Sequence, residues 1–190
     1  TLYPELIPNI VNKEDALKWT TGSGNKIEWK CTDCDTYLGF KSVKNVTAHG
    51  LFCPICSSNT SSPERFMASV LKNLDIKFDH NQGFTWSDNR FYDFYLRDYN
   101  LIIELHGEQH FFRSDTSVFN QNRTLEEEQF NDAYKKQMAL ENGVKHYVEI
   151  PCINTEFLSL KETISQHKEL QQLLPINQIN WSKVLEYYRH

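Results

Sequence analysis

The sequence predicts an α/β fold, a mixed sheet flanked by helices, with a small four-cysteine module ahead of it. Three observations carry that expectation. Beyond Pro63 the apolar pattern switches between helical and strand periods, in the order helix, strand, strand, strand, helix, strand, then helices. Four of the five cysteines fall as Cys31-x2-Cys34 and Cys53-x2-Cys56, two knuckles 18 residues apart. Between the second knuckle and the first long helix, Ser57-Ser-Asn-Thr-Ser-Ser62 is a polar linker. The expected division is therefore 1–58 for the module and 61–190 for the α/β domain.

In the module, Leu6, Ile7, Ile10, Val11, Leu17 and Trp19 supply apolar content ahead of the flexible segment 20–25. Lys26-Ile-Glu-Trp-Lys30 alternates as a strand running into the first knuckle, and Tyr37-Leu-Gly-Phe40 is a second short strand. His49-Gly50 turns the chain into Cys53-Pro-Ile-Cys56. Ser62 is then expected to cap a helix, with Pro63 at its first position and Glu64 in its first turn. Phe66, Met67, Val70, Leu71 and Leu74 mark its buried face. Ile76-Lys-Phe78 and Gly83-Phe-Thr-Trp86 indicate extended chain. A hairpin follows, over 90–96 and 101–106, around a turn at Asp98-Tyr-Asn100. Residues 113–123 are polar and read as a loop. A helix is expected over 124–142, acidic early and basic late, stopped by Gly143. An apolar strand, 144–150, ends at Pro151, and helices follow over 155–173 and 180–188.

Four thiolates at this spacing match a tetrahedral structural zinc site, Cys31, Cys34, Cys53 and Cys56. A module this small buries little surface, so the metal would supply much of its folding free energy. Cys152, behind Pro151 at a strand end, reads as an inert buried thiol. Cysteines kept for metal predict a reducing, cytoplasmic setting. No apolar run approaches the ~20 residues of a membrane span, and no secretory signal is evident. Opening on Thr1 rather than Met, the chain reads as a processed chain or a fragment. The net charge of -5 argues mildly against non-specific nucleic-acid binding, but its distribution softens that. Residues 1–60 carry six Lys/Arg against six acids, and residues 61–190 fourteen against nineteen. A divalent metal among the latter acids would reverse the local field.

The hairpin carries the chemistry. Asp93, Glu104 and His106 are set into apolar strands, with His110 just beyond. Carboxylates in strands are costly unless paired or bound to metal. By strand alternation Asp93 shares a face with Phe91 and Tyr95, and Glu104 with Ile102 and His106. Pairing about the turn brings Asp93 and Glu104 to one end of the sheet. Two such carboxylates repel unless a cation lies between them, and Mg2+ takes oxygen ligands of this kind. It would activate water and offset charge on a phosphate, while His106 or His110 relays protons. That is the chemistry of phosphodiester hydrolysis. The same residues have plainer readings. Asp93 and Glu104 could pair with Arg90 or Arg97, Glu64 could serve only the helix dipole, and His106 could be a core histidine. Asp132 and Lys135 could form a surface pair, and His106, His110 and Glu104 a two-His-one-carboxylate oxygenase site. His49, His80, His146 and His167 lie outside the pattern.

Asp93 followed by Glu104-Leu-His106 resembles the PD-(D/E)xK nuclease motif, with His in the place of its lysine. Ile103-Glu-Leu-His-Gly-Glu-Gln-His110 is similar to the Vsr mismatch-repair nickases and the phage-associated EDxHD homing endonucleases. Glu64, Asp93, His110 and Asp132 fall in the order of that branch, and Asn131-Asp132-x-x-Lys135 before Gly143 and a closing strand also resembles it. The resemblance spans about residues 60–150. It implies a restriction-endonuclease-like sheet and a Mg2+-dependent DNA endonuclease, Mn2+ substituting, that nicks or cuts both strands. It further implies a homing or phage-associated setting within a bacterial host. The implied roles are Asp93 and Glu104 on Mg2+, His110 in proton transfer, and Glu64, His106 and Asp132 in support. Without the motif lysine, positive charge falls to the metal, His106, or Lys135 and Lys136. The N-terminal part resembles the zinc-ribbon domains found ahead of Vsr-like nucleases, in Tyr3-Pro-Glu-Leu6, Ile27-Glu-Trp-Lys-Cys31 and Cys53-Pro-Ile-Cys56. The expected partner is DNA, with no membrane; the oligomeric state is left open, a homodimer being one option. The alternatives are a non-catalytic zinc-containing nucleic-acid-binding module and an RNA nuclease.

Overall fold

The computed structural model describes residues 4–107 and 124–189. The chain begins with a 3-10 turn over Pro4–Asn9 and one helical turn, α1 (Asp15–Lys18). Strands β1 (Lys26–Lys30) and β2 (Tyr37–Ser42) pair antiparallel, burying Ile27, Trp29 and Leu38. Ile10 bridges to Trp29, so the leading segment closes on this hairpin. β2 runs two residues beyond the expected 37–40. Ser42 then caps α2 (Val43–His49) by accepting the Asn45 N–H at 3.2 Å. This helix buries only Val43 and Val46, too few positions to announce a period in sequence.

α3 (Ser62–Asn73) starts one residue earlier than expected. Ser61 is the N-cap, bonded reciprocally with Glu64, and Phe66 through Leu71 are buried. The main sheet is mixed, in the order β3 (Asp79–Gly83), β4 (Phe91–Leu96), β5 (Leu101–His106), β6 (His146–Pro151). β5 and β6 are parallel and the other pairs antiparallel. The hairpin falls where the sequence places it, with Asn100 in the left-handed region at φ 45°. β3 differs: the strand is the polar run between the two apolar stretches expected to be extended. It lies at the sheet edge, where pairing of Asp79 with Tyr95 and His80 with Phe94 outweighs poor strand propensity.

Adjacent strand residues point to opposite faces, and Ile102 and Ile103 show which helices cover each. Ile103, Phe94, Val148 and Ile150 pack with α3, α5 (Phe157–Gln166), α6 (Lys168–Leu173) and α7 (Trp181–Tyr188). Ile102 and Tyr147 pack with Ala139 of α4 (Leu125–Glu141), whose N-cap Thr124 forms a capping box with Glu127. The single helix expected over 155–173 is broken at His167, whose extended backbone separates α5 from α6. Its Nδ1 accepts the Leu170 N–H at 3.4 Å and so caps the second piece.

The cysteine-bearing part and the main sheet share one buried cluster, which includes Ile10, Trp29, Val46 and Ile55 along with Phe66, Leu71 and Phe94. Asp79 fixes the junction. Its Oδ1 accepts the Phe40 N–H at 3.0 Å, and its Oδ2 lies 2.6 Å from Arg97 Nε. Gly39 sits against it at φ 79°, where a Cβ would fall 2.1 Å from Asp79 Oδ1. The Lys72 ammonium of α3 donates to the Cys34 carbonyl. Among the described residues no helix is long and apolar enough to cross a membrane.

Candidate functional site

The four cysteines meet. The ends of β1 and β2 bring Cys31 and Cys34 to Cys53 and Cys56, and all four sulfurs lie within 4.8 Å of one another. Cys31 Sγ is 3.9 Å from Cys56 Sγ, and Cys34 Sγ is 3.6 Å from Cys53 Sγ. Sulfurs bound tetrahedrally at ~2.3 Å from one zinc ion stand about 3.8 Å apart, so the spacing fits. Hydrogen bonds from Cys53 and Thr36 pull the Cys34 thiol down to about 4, against the effect of burial. Burial, then the neighbouring Cys34, pushes Cys56 up to about 12. One sulfur is thus readily a thiolate, and a cation would draw the others to the same state. Cys152 is buried elsewhere, its thiol pushed up to about 12 by burial and then by Asp93, as an inert thiol should be.

The hairpin carboxylates also meet, across the end of the β4–β5 pairing. The backbone ladder runs as far as Phe94 opposite Ile103. At the next step side chains take over: Glu104 Oε1 accepts the Asp93 N–H at 3.2 Å, and Asp93 Oδ2 accepts the Leu105 N–H at 2.8 Å. Each acid is therefore anchored by the other's strand. Glu104 is buried, and its carboxyl is pushed up to about 8, first by burial and then by the charge of Asp93. Lys135 of α4 opposes this, with Nζ 2.6 Å from Glu104 Oε2. Successive helix residues diverge by about 100°, and Lys136 turns away to Glu149 Oε2 at 2.5 Å. Two carboxylates whose joint ionisation is resisted are a donor set that a hard divalent cation relieves, and Asp93 and Glu104 are the residues that could hold one.

The remaining candidates are placed less closely. Glu64 closes the Ser61 cap with Oε2, and its Oε1 lies 3.9 Å from His80 Nε2. Asp132 is half-buried on α4, one turn before Lys135, and adds to the burial and the Glu104 charge that push the Tyr147 hydroxyl upward. His106 is buried on β5, two residues after Glu104. Among the described residues, none of these joins Asp93 and Glu104 in a set of three ligand atoms within 4.8 Å of one another. His110 and the 113–123 loop lie outside the described residues. Arg97 pairs with Asp79, and Arg90 pairs with Asp88 at 2.8 Å while donating to Asn131 Oδ1 at 3.0 Å.

Two participants carry no signal in the sequence. Tyr92 donates from its hydroxyl to the Lys135 carbonyl at 3.0 Å, fixing α4 over the carboxylates, while the Lys135 ammonium lies 5.0 Å from its ring centroid. His80 reaches Glu64 only through the placement of β3. Compared with family models, curated proteins and solved structures, the chain gives no match.

Proposed function

We propose that the chain is a metal-dependent DNA endonuclease whose hydrolytic site is built on Asp93 and Glu104, with a zinc-holding cysteine module at its N-terminal side. The observation that carries this reading is the interlocked carboxylate pair with Lys135 2.6 Å from Glu104. In the PD-(D/E)xK pattern a strand lysine accompanies two acids. His106 holds that sequence position here, and Lys135 brings an ammonium to the same acid from α4. A divalent cation, once bound, supplies Lewis acidity toward the phosphate and acidifies water. The chain's own groups do the rest. Asp93 and Glu104 hold the cation, Lys135 keeps positive charge beside the scissile phosphate, and His106 or His110 carries the proton to the leaving oxygen. The cysteine module then bears on DNA contact, and the homing or phage setting follows from sequence resemblance alone.

The test is supercoiled plasmid incubated with the zinc-loaded chain and Mg2+ or Mn2+. Nicked or linear product is expected, reduced at least 100-fold in Asp93→Ala and in Glu104→Ala. No cleavage with either metal, or cleavage untouched by both substitutions, overturns it. The same Lys135–Glu104 contact favours one second reading, a non-catalytic nucleic-acid-binding module in which this buried pair only locks α4 to the sheet. Binding without cleavage would select it.

A further inference from the structure

Between the cysteine-bearing part and the edge of the main sheet runs a groove of about 330 Å3. Lys26, Lys41, His49, Phe40, Phe52 and Phe91 line it. Its one acid among the described residues, Asp79, is already committed to Arg97 and to the Phe40 N–H. Lys41 is half-buried there, burial pushes its pKa down, and no carboxylate lies within salt-bridge reach of it among the described residues. The charge of Asp79 offsets that burial only in part, since its carboxylate is shared with Arg97, and an incoming anion would relieve the rest. Aromatic surface is exposed beside it: Phe52 is 39% and Phe91 56% exposed. Cations interleaved with exposed aromatic surface suit alternating phosphates and unpaired bases, the pattern of single-strand binding grooves. The volume is near the lower end of small-ligand sites, about 300–1,000 Å3, and admits a base with its phosphate rather than a duplex.

Phe91 precedes Asp93 by two residues on β4, about 7 Å along the strand. On the other side the His80 ring stacks on Phe52 with centroids 5.9 Å apart and presents Nε2 toward Glu64. We propose that this groove binds an unpaired stretch of nucleic acid, Lys26 and Lys41 meeting phosphates and Phe52 and Phe91 stacking bases. In its use the groove rests on the nuclease reading, since it would deliver a strand to Asp93 and Glu104. Binding itself needs neither acid.

Fluorescence anisotropy with a labelled 15-nucleotide oligothymidylate tests it, using the zinc-loaded full chain without Mg2+. The oligonucleotide is expected to bind at least 10-fold more tightly than a blunt duplex of equal length. Lys26→Gln/Lys41→Gln should weaken binding at least 10-fold and lower the slope of log K against log salt by about 1.4. Phe52→Ala and Phe91→Ala should each weaken it roughly 5- to 100-fold. Oligouridylate binding as tightly supports the same chemistry with RNA as the source. Wild-type affinity in all these variants, preference for duplex, or equal binding of a poly-glutamate peptide overturns the proposal. Glu104→Gln separates the two readings: it should bind oligothymidylate normally while failing to cleave plasmid. Groove-dependent binding without any cleavage would remove the nuclease reading alone. Glu104-dependent cleavage with groove variants binding as wild type would remove the groove alone.

Discussion

Lys135 Nζ stands 2.6 Å from Glu104 Oε2, with the two side chains only 12% and 6% exposed. A buried pair of this kind is costly to break from one side, because the survivor keeps an uncompensated charge. Lys135→Met should therefore destabilise the chain by about 3 kcal/mol in urea denaturation at pH 9, where Glu104, pushed up to about 8, is ionised beside Lys135. Lys135→Met/Glu104→Leu should recover most of that loss. A single substitution costing no more than ~0.5 kcal/mol would mean that the contact holds little in place.

The cysteine tetrad predicts one tightly held zinc per chain by elemental analysis. Cys31→Ser and Cys53→Ser should lose the metal and most folded signal, because closing the site drives folding of that part. Cys152→Ser should keep both, since that thiol is buried away from the others.

At the junction, Gly39→Ala places a methyl group against Asp79 at a φ that L residues avoid. A loss of about 2–4 kcal/mol is expected in thermal or urea unfolding. Gly24→Ala, with open space around it, should change stability by no more than ~0.5 kcal/mol.

His80 gives the fold a pH dependence. Burial pushes its pKa down to about 4, Glu64 opposing and Lys41 adding to the shift. The unfolded chain takes up this proton near pH 6.5 and the folded chain only near 4. Its contribution is therefore present above pH 6.5 and lost as pH falls toward 4, to a ceiling of about 3 kcal/mol. Stability of His80→Phe, relative to wild type, should rise by up to that amount between pH 7.5 and pH 4. Parallel pH profiles would contradict this.

What is legible in the sequence is what local pattern dictates. The 90–106 hairpin alternates strongly around Asp98-Tyr-Asn100, and α4 announces both ends through Thr124 and Gly143. The cysteine spacing alone places four sulfurs together. Hidden features depend on partners distant in sequence. β3 is polar and is a strand because β4 lies beside it, and α2 is too short to show a period. His167 breaks an apparently continuous helix by capping its second half. At the site, the pairing of Asp93 with Glu104 follows from counting back from the turn. The choice of Lys135 over Lys136 does not, because it depends on the rotation of α4 against the sheet.

The claim on which the proposed function rests is that Asp93 and Glu104 act together on one divalent cation. Anomalous diffraction from crystals soaked in Mn2+ tests it most directly. A manganese peak between Asp93 and Glu104 is expected, separate from zinc in the cysteine tetrad. Occupied zinc with no manganese at these two carboxylates would contradict it.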